Sequence, residues 1–380
     1  MKPPRRSLFG IFLLWFLLTS SLFLVSRSII PQNNRFAYSE KPIVNPVSLW
    51  NRANFDGVHY LFISENSYGL YEQSFFPLYP IAIKAASLIT SYRETAAIIL
   101  SLFFLIVSLV VMEKLFEKDL DRKTSLLAIA LFLVFPTSFF FGAVYSEALF
   151  LLLSLLSFYW ARNQKWIPSS IVAALATATR PSGIFLVIAL AIEWIYQKRE
   201  KAKPLFEKSR GLVQFLPLLI MPLGLLLYMA YLYLTTGDPI LFVHLEPLFG
   251  LQRSSEIILP YQVAYRYLRM LLTLNLHQLV YFTVILEAIT SAFASLILVL
   301  GLFLKERPSY LTYIFLGVFI PSLSGTLVSE PRFIILLFPV FLILARLIKN
   351  NPLLKYLYVV ISLIGLVIAN LFFGAGYFVS

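Results

Sequence analysis

The chain is a succession of long apolar runs separated by short polar connections. The runs cover approximately residues 8–25, 95–112, 124–141, 147–161, 166–179, 183–196, 212–235, 279–304, 310–325, 333–348 and 354–373. Most are apolar on every side instead of along one stripe, the pattern of a helix surrounded by protein or lipid. About 20 such residues cross the roughly 30 Å of hydrocarbon in a bilayer. Eleven transmembrane helices are therefore expected. The first follows Lys2, Arg5 and Arg6. It is longer than the apolar core of a signal peptide and lacks a small-residue cleavage site, so it reads as an uncleaved span. The run 81–91 is too short to cross, is interrupted by Lys84 and is followed by Arg93 and Glu94, and is expected to form an interfacial or re-entrant helix.

The stretch 166–196 is divided by Thr179-Arg180-Pro181-Ser182-Gly183. This is a turn signal, and the residue before a proline is biased away from helix. The two halves, each short for a full crossing, predict a hairpin whose tip holds Arg180 below the outer membrane plane. Non-helical backbone at that depth requires surrounding protein or a water-filled cavity.

Hydrophobic residues make up 59% of the 380 positions, charged residues 13%, and mean hydropathy is +0.82. A soluble domain carries about twice that share of charge. The net charge of +12 comes from short Lys and Arg clusters between the runs and not from a basic stripe on a soluble module, which argues against a nucleic-acid partner. Most of the 31 Lys and Arg fall in 1–7, 113–123, 162–165, 197–211, 305–309 and 346–356. The positive-inside rule places these loops in the cytoplasm and gives an N-in, C-out chain. There is no cysteine, which excludes disulfides and cysteine-ligated metal and favours a bacterial or archaeal inner membrane over a secretory-pathway one.

The whole chain, 1–380, reads as one transmembrane domain carrying two large extracytoplasmic connections, 26–94 and 236–278. Nearly all unusual polar residues collect on that side. The first connection is dense in aromatic residues suited to the headgroup level and contains Asp56, His59 and Tyr60. A second cluster is Phe135-Pro136-Thr137 with Tyr145-Ser146-Glu147, and a third is Glu330-Pro331-Arg332. Glu287 is the acid well inside a span. Each has a bland reading: Asp56 as a loop acid or cap, His59 as structural, Arg180 and Arg332 as snorkelling anchors, Glu147 as a first-turn acid favoured by the helix dipole, Glu287 as the partner of a neighbouring span. Their gathering on one face favours a shared site.

The run Phe55-Asp56-Gly57-Val58-His59-Tyr60, continued by Ser64-Glu65-Asn66-Ser67-Tyr68-Gly69 and Phe75-Phe76-Pro77-Leu78-Tyr79-Pro80, resembles the first extracytoplasmic loop of PIG-V-type mannosyltransferases, within the GT-C superfamily. Phe135-Pro136-Thr137, Val144-Tyr145-Ser146-Glu147, Thr179-Arg180-Pro181-Ser182-Gly183 and Glu330-Pro331-Arg332-Phe333 extend the likeness in order, most densely over 48–195. Where the family usually has Trp before the acid, this chain has Phe55. The resemblance implies a GT-C-type helical bundle whose first loop contains interfacial helices. It implies a hexosyltransferase, mannose being the expected sugar, fed by polyprenyl- or dolichyl-phosphate sugar, with no metal or other cofactor. Glycolipid, glycan or protein would be the acceptor. Asp56 would be the general base of an inverting transfer. Arg180 and Arg332, with His59, Tyr60, Tyr145, Glu147 and Glu330, would hold the donor phosphate and its surroundings. A polytopic transporter or lipid flippase is the competing reading, but such proteins often carry repeats with matching broken helices, and none is evident. A membrane scaffold would not need the polar cluster.

Overall fold

In this computed structural model, residues 6–33, 51–90, 92–201, 213, 215–245, 253–254, 256–275 and 279–379 are described. Parts of both large connections (34–50 and 246–252) and the basic stretch 202–212 lie outside them. The described residues are helical and contain no strand. The long helices are α1 (Arg6–Ile29) and, after two shorter ones, α2 (Asp56–Asn66) and α3 (Leu78–Ala86), α4 (Arg93–Phe116). There follow α5 (Arg122–Leu133), α6 (Glu147–Arg162), α7 (Trp166–Thr177) and α8 (Gly183–Glu200). The second half comprises α9 (Leu216–Ile220), α10 (Leu223–Thr236), α11 (Leu241–His244), α12 (Pro260–Thr273), α13 (Leu279–Phe303), α14 (Pro308–Ser322), α15 (Glu330–Ile334), α16 (Pro339–Ile348) and α17 (Pro352–Gly374).

Among the described residues, five stretches are long and apolar enough to cross a bilayer: Ser7–Ile29, Arg93–Phe116, Leu216–Thr236, Val280–Phe303 and Pro352–Gly374. They keep large apolar side chains on the outside, such as Leu14, Leu227, Phe303 and Ile361. Such surface needs lipid as its solvent. The shorter α6 and α16 are buried on nearly every side and form the centre, packed by α4 and α7 and by α5 respectively. The all-helical membrane architecture expected from the runs is thus present. Three runs are broken, and of these 212–235 gives α9 and α10 on either side of Met221-Pro222. The run 124–141 ends as helix at Leu133 and resumes as a 3-10 turn at Ser138–Gly142, because Pro136 has no N–H and disfavours helix at Phe135. The run 333–348 is split into α15 and α16 ahead of Pro339, which takes the first position of its helix.

The hairpin at 179–183 forms as expected between α7 and α8. Its closure requires Gly183: a methyl group there would lie 2.6 Å from Cα of Thr177, so no side chain fits without opening the turn that carries Arg180. The short run after Pro77 forms α3, nine residues long.

The helix ends opposite this turn are tied by buried charge. Arg162, at the end of α6, donates two hydrogen bonds to the Asp119 carboxylate (2.7 and 2.8 Å) and one to the Tyr310 hydroxyl (2.7 Å). Glu193 of α8 is fully buried and accepts from Arg307 (2.9 Å), Ser309 (2.6 Å) and Gln197 (2.7 Å). Arg346 at the end of α16 donates to the Asp119 carbonyl (3.0 Å) and pairs with Glu306 (3.0 Å). Loops that charge counting assigned to one side of the membrane therefore meet in space. Removing one partner of such a network leaves an uncompensated buried charge, at a cost of about 3–5 kcal/mol. Glu193→Gln is expected to lower the thermal midpoint of the purified protein markedly in a detergent unfolding scan, while Glu200→Gln, at an exposed carboxylate, leaves it within about 1 °C.

Candidate functional site

At the other end of the same helices, segment 51–55 is fastened before it reaches Asp56. Asn51 donates to the Phe23 carbonyl of α1 (3.1 Å), Arg52 to the Gly142 carbonyl (2.9 Å), and Asn54 to the Phe373 carbonyl of α17 (2.7 Å). The Tyr145 hydroxyl donates to the Asn54 carbonyl (2.9 Å). Phe55 then adopts φ 57° and ψ −117°, a costly conformation for a bulky residue that persists only where the surroundings over-determine it. Its ring packs against Phe373 and Phe378, with centroids 5.8 and 5.5 Å away. This kink delivers Asp56 as the first residue of α2, where the helix dipole favours a carboxylate.

Asp56 accepts a hydrogen bond from Arg332 of α15 at 2.6 Å. The Nε of Arg332 lies 3.5 Å from the Glu147 carboxylate, and Nη1 of Arg180 lies 2.7 Å from the same oxygen. Acid and base alternate along the chain Asp56–Arg332–Glu147–Arg180, drawn from α2, α15, the start of α6 and the α7–α8 turn. Glu147 is fully enclosed, the two arginines are about one-tenth exposed, and Asp56 is the most open member, its side chain 28% exposed. Arg180 also donates to the Ser146 hydroxyl (3.2 Å), which shares a hydrogen bond with the Tyr60 hydroxyl (2.9 Å). The Arg332 guanidinium lies over the rings of Tyr145 and Phe140, at 5.3 and 5.4 Å, an arrangement that offsets part of its desolvation. Burial pushes the Asp56 carboxyl up, but the Arg332 charge and hydrogen bond outweigh it, helped by His59 and Arg180, and hold it below the usual carboxylate range.

A cavity of about 880 Å³ opens on this cluster. Asp56, His59, Tyr60, Arg180, Arg253 and Arg332 line it, together with residues of α8 and α14 such as Phe185, Gly317 and Ile320. Of the residues expected at the site, Asp56, His59, Tyr60, Arg180 and Arg332 face the cavity. Tyr145 and Glu147 stand behind and brace the arginines. Glu330 is also off the wall: it is fully buried, and neither of its carboxyl oxygens has a hydrogen-bond partner among the described residues. Glu287, the acid well inside a span, accepts from the Tyr267 hydroxyl of α12 at 2.5 Å. Three contributors were not among the residues expected at the site. These are Ser146, which joins Tyr60 to Arg180, Arg253 from the second large connection, and Glu72, which contacts His59 at 3.4 Å.

Desolvation raises the Glu330 carboxyl well above its ordinary range, the Glu287 charge adds to this, and Arg253 opposes it. A carboxyl held high favours the protonated folded form, so at neutral pH Glu330 costs stability, and the cost vanishes as pH falls below about 4, the unfolded range. Glu330→Gln is expected to raise the thermal midpoint at pH 7, with the gain closing on acidification in paired unfolding scans. Asp56 has the opposite sign. Its folded value is lowered, so its pairing stabilises fully above the unfolded value and is lost as pH falls through the lower folded one. Asp56→Asn is expected to flatten that acid-side slope in the same scans.

The chain matches the family model described as "Mannosyltransferase (PIG-V)" over residues 6–239, a stretch that contains Asp56, His59, Tyr60, Tyr145, Glu147 and Arg180 and ends before Arg332. The "GPI alpha-1,6-mannosyltransferase 2" of Cricetulus griseus is 28% identical over 245 residues, which is 57% of this chain and 49% of that protein. The chain thus aligns with about half the length of that curated relative. Among solved structures, the Archaeoglobus fulgidus oligosaccharyltransferase tethered to an acceptor peptide aligns over 96% of this chain and 55% of its own, at 11% identity and a TM-score of 0.42. With the family model covering well over half of its residues, this chain belongs to the PIG-V mannosyltransferase family.

Proposed function

We propose that the protein is an inverting membrane glycosyltransferase. It moves a hexose, mannose by family membership, from a polyprenyl- or dolichyl-phosphate carrier to an acceptor hydroxyl at the extracytoplasmic membrane surface. The observation that carries this reading is the Asp56–Arg332–Glu147–Arg180 chain at the wall of a cavity that is otherwise lined mainly by apolar and aromatic side chains. A prenyl-phosphate sugar has the same division, with an apolar tail, one phosphate and a polyol. The apolar length between α8 and α14 suits the first prenyl units, and the arginines suit the phosphate, since guanidinium forks match phosphate oxygens.

Asp56 is ionised at neutral pH, as a base must be. The acceptor oxygen attacks the anomeric carbon and its proton passes to Asp56. The bond from that carbon to the phosphate oxygen breaks, and the carrier leaves as lipid phosphate. Arg332, which pairs with Asp56, turns toward the incoming phosphate, freeing the carboxylate and neutralising charge as the leaving group departs. Glu147 keeps both guanidiniums aimed, and the membrane plane brings donor and acceptor together. The acceptor is a hydroxyl of a glycolipid, a glycan or a protein. The connections 26–94 and 236–278 would then face away from the cytoplasm, in a prokaryotic inner membrane or its equivalent.

The test is transfer by purified protein from polyprenyl-phosphate mannose, with polyprenyl-phosphate glucose alongside, to extracted membrane lipids. Asp56→Asn is expected to lower kcat by about 10²–10⁴-fold, the usual worth of a general base, with normal expression and monodispersity. Arg180→Lys and Arg332→Lys keep the charge but lose the fork, and are expected to raise the donor KM about tenfold. Near-normal turnover by Asp56→Asn would remove that residue from the role, and no transfer from either donor to any lipid fraction would sink the reading.

A further inference from the structure

Behind the cavity wall, a turn between α2 and α3 is built around one buried carboxylate. Glu72 is 6% exposed. Its Oε2 accepts from the Gly69 N–H at 2.9 Å, and its Oε1 lies 3.4 Å from Nδ1 of His59. The turn holds Ser67 and Tyr71 at φ 69° and 68°, positive values that L-residues rarely adopt. It is locked by the Gln73 side chain on the Gly69 carbonyl (3.0 Å), the Tyr68 hydroxyl on the Phe75 carbonyl (2.8 Å) and the Tyr228 hydroxyl of α10 on the Gln73 carbonyl (2.7 Å). Such strain is tolerated where it fixes something. What it fixes here is the carboxylate against the imidazole.

His59 is held in a second, independent way. Its ring stacks on Phe75 with centroids 4.7 Å apart and planes 16° from parallel. It lies three residues after Asp56 on α2, and both line the cavity, as positions i and i+3 of a helix share a face. One face of the ring is set by Phe75 and one edge by Glu72. A carboxylate accepts only, so Nδ1 must carry the proton, and in the neutral ring Nε2 is then an acceptor.

We propose that Glu72 is a positioning residue of the transfer site: its carboxylate fixes His59 as the Nδ1–H tautomer, with Nε2 presented to the cavity to accept a hydrogen bond from a substrate hydroxyl beside Asp56. The proposal rests on the transferase reading for the identity of the substrate, but the tautomer itself does not. A hydroxyl held there is oriented relative to the base, which converts binding into alignment. The hydroxyl belongs either to the transferred sugar or to the acceptor, and the two are separable by which KM responds.

The experiment uses the full chain purified in detergent with ring-15N-labelled histidine. The sequence has three histidines, His59, His244 and His277, and His59→Gln assigns the signals. At alkaline pH, where the rings are neutral, His59 is expected to show Nδ1 protonated and Nε2 bare. In Glu72→Gln the side-chain amide still accepts from Gly69 but presents N–H to the imidazole, so His59 is expected to switch to the Nε2–H tautomer. A turn that served folding alone would not produce this switch. Glu72→Gln is expected to raise the KM of the donor, or of the acceptor, about tenfold, the scale of one hydrogen bond involving a charged group, with kcat falling less. The double variant Glu72→Gln/His59→Gln should be no slower than His59→Gln. A wild-type His59 with Nε2–H, an unchanged tautomer in Glu72→Gln, or additive losses in the double variant would each overturn the proposal. Absence of transfer by wild-type protein with the expected tautomer would count against the transferase reading and leave the dyad standing.

Discussion

Charge taken out of water must be paired, and that constraint shapes this protein more than any other. Two carboxylates and two guanidiniums meet where α2, α6, α15 and the α7–α8 turn converge, and no two of these segments are neighbours in the chain. Desolvating ions costs several kcal/mol each unless their partners are placed to offset it. Glu147 provides that placement from full burial, at a helix start where the dipole favours its charge. Through Glu147, Arg180 and Arg332 are held side by side on a cavity wall. Asp56 caps the series at its most open end and is the acid of the four that lines the cavity.

The rest of the fold keeps this arrangement from relaxing. The buried network of Asp119, Arg162, Glu193 and Arg307 ties the opposite ends of α6, α8 and α14, which fixes the axial position of the helices that deliver Glu147 and Arg180. The strained Phe55, clamped by Phe373 and Phe378, turns the chain so that Asp56 opens α2 toward the arginines. Gly57 continues the same economy: a methyl there would lie 3.2 Å from the Val144 carbonyl, so α2 packs closely against the segment leading to Tyr145 and Glu147. The apolar exterior of α1, α10, α13 and α17 contributes no specificity of this kind. It commits the molecule to lipid.

Much of this was legible in the residues. Hydropathy located the long helices, because a run of 20 apolar residues has few alternatives. Thr179-Arg180-Pro181-Ser182-Gly183 announced the hairpin, because its turn chemistry is local. The breaks at Phe135-Pro136 and before Pro339 were hidden, since the flanking residues stay apolar and buried whether or not the helix continues. The ordered motifs indicated Asp56, Arg180 and Arg332, but not that Asp56 and Arg332, 276 positions apart, form one pair; partner choice is a property of packing. Glu330 illustrates the reverse. Its place in a motif suggested a wall residue, and packing instead enclosed it without hydrogen-bond partners among the described residues. Glu72 was illegible for a simpler reason: a single polar residue in an aromatic loop has no period and no spacing to set it apart; Ser146 stood inside a named cluster, but its link from Tyr60 to Arg180 is again a property of packing.

The most direct measurement of the central claim is an experimentally determined structure of the protein in lipid nanodiscs with a non-transferable polyprenyl-phosphate sugar analogue bound. The account requires the phosphorus between the guanidiniums of Arg180 and Arg332, the anomeric carbon toward Asp56, and the first prenyl units between α8 and α14. A phosphate seated elsewhere, with Arg332 still paired to Asp56, would contradict it.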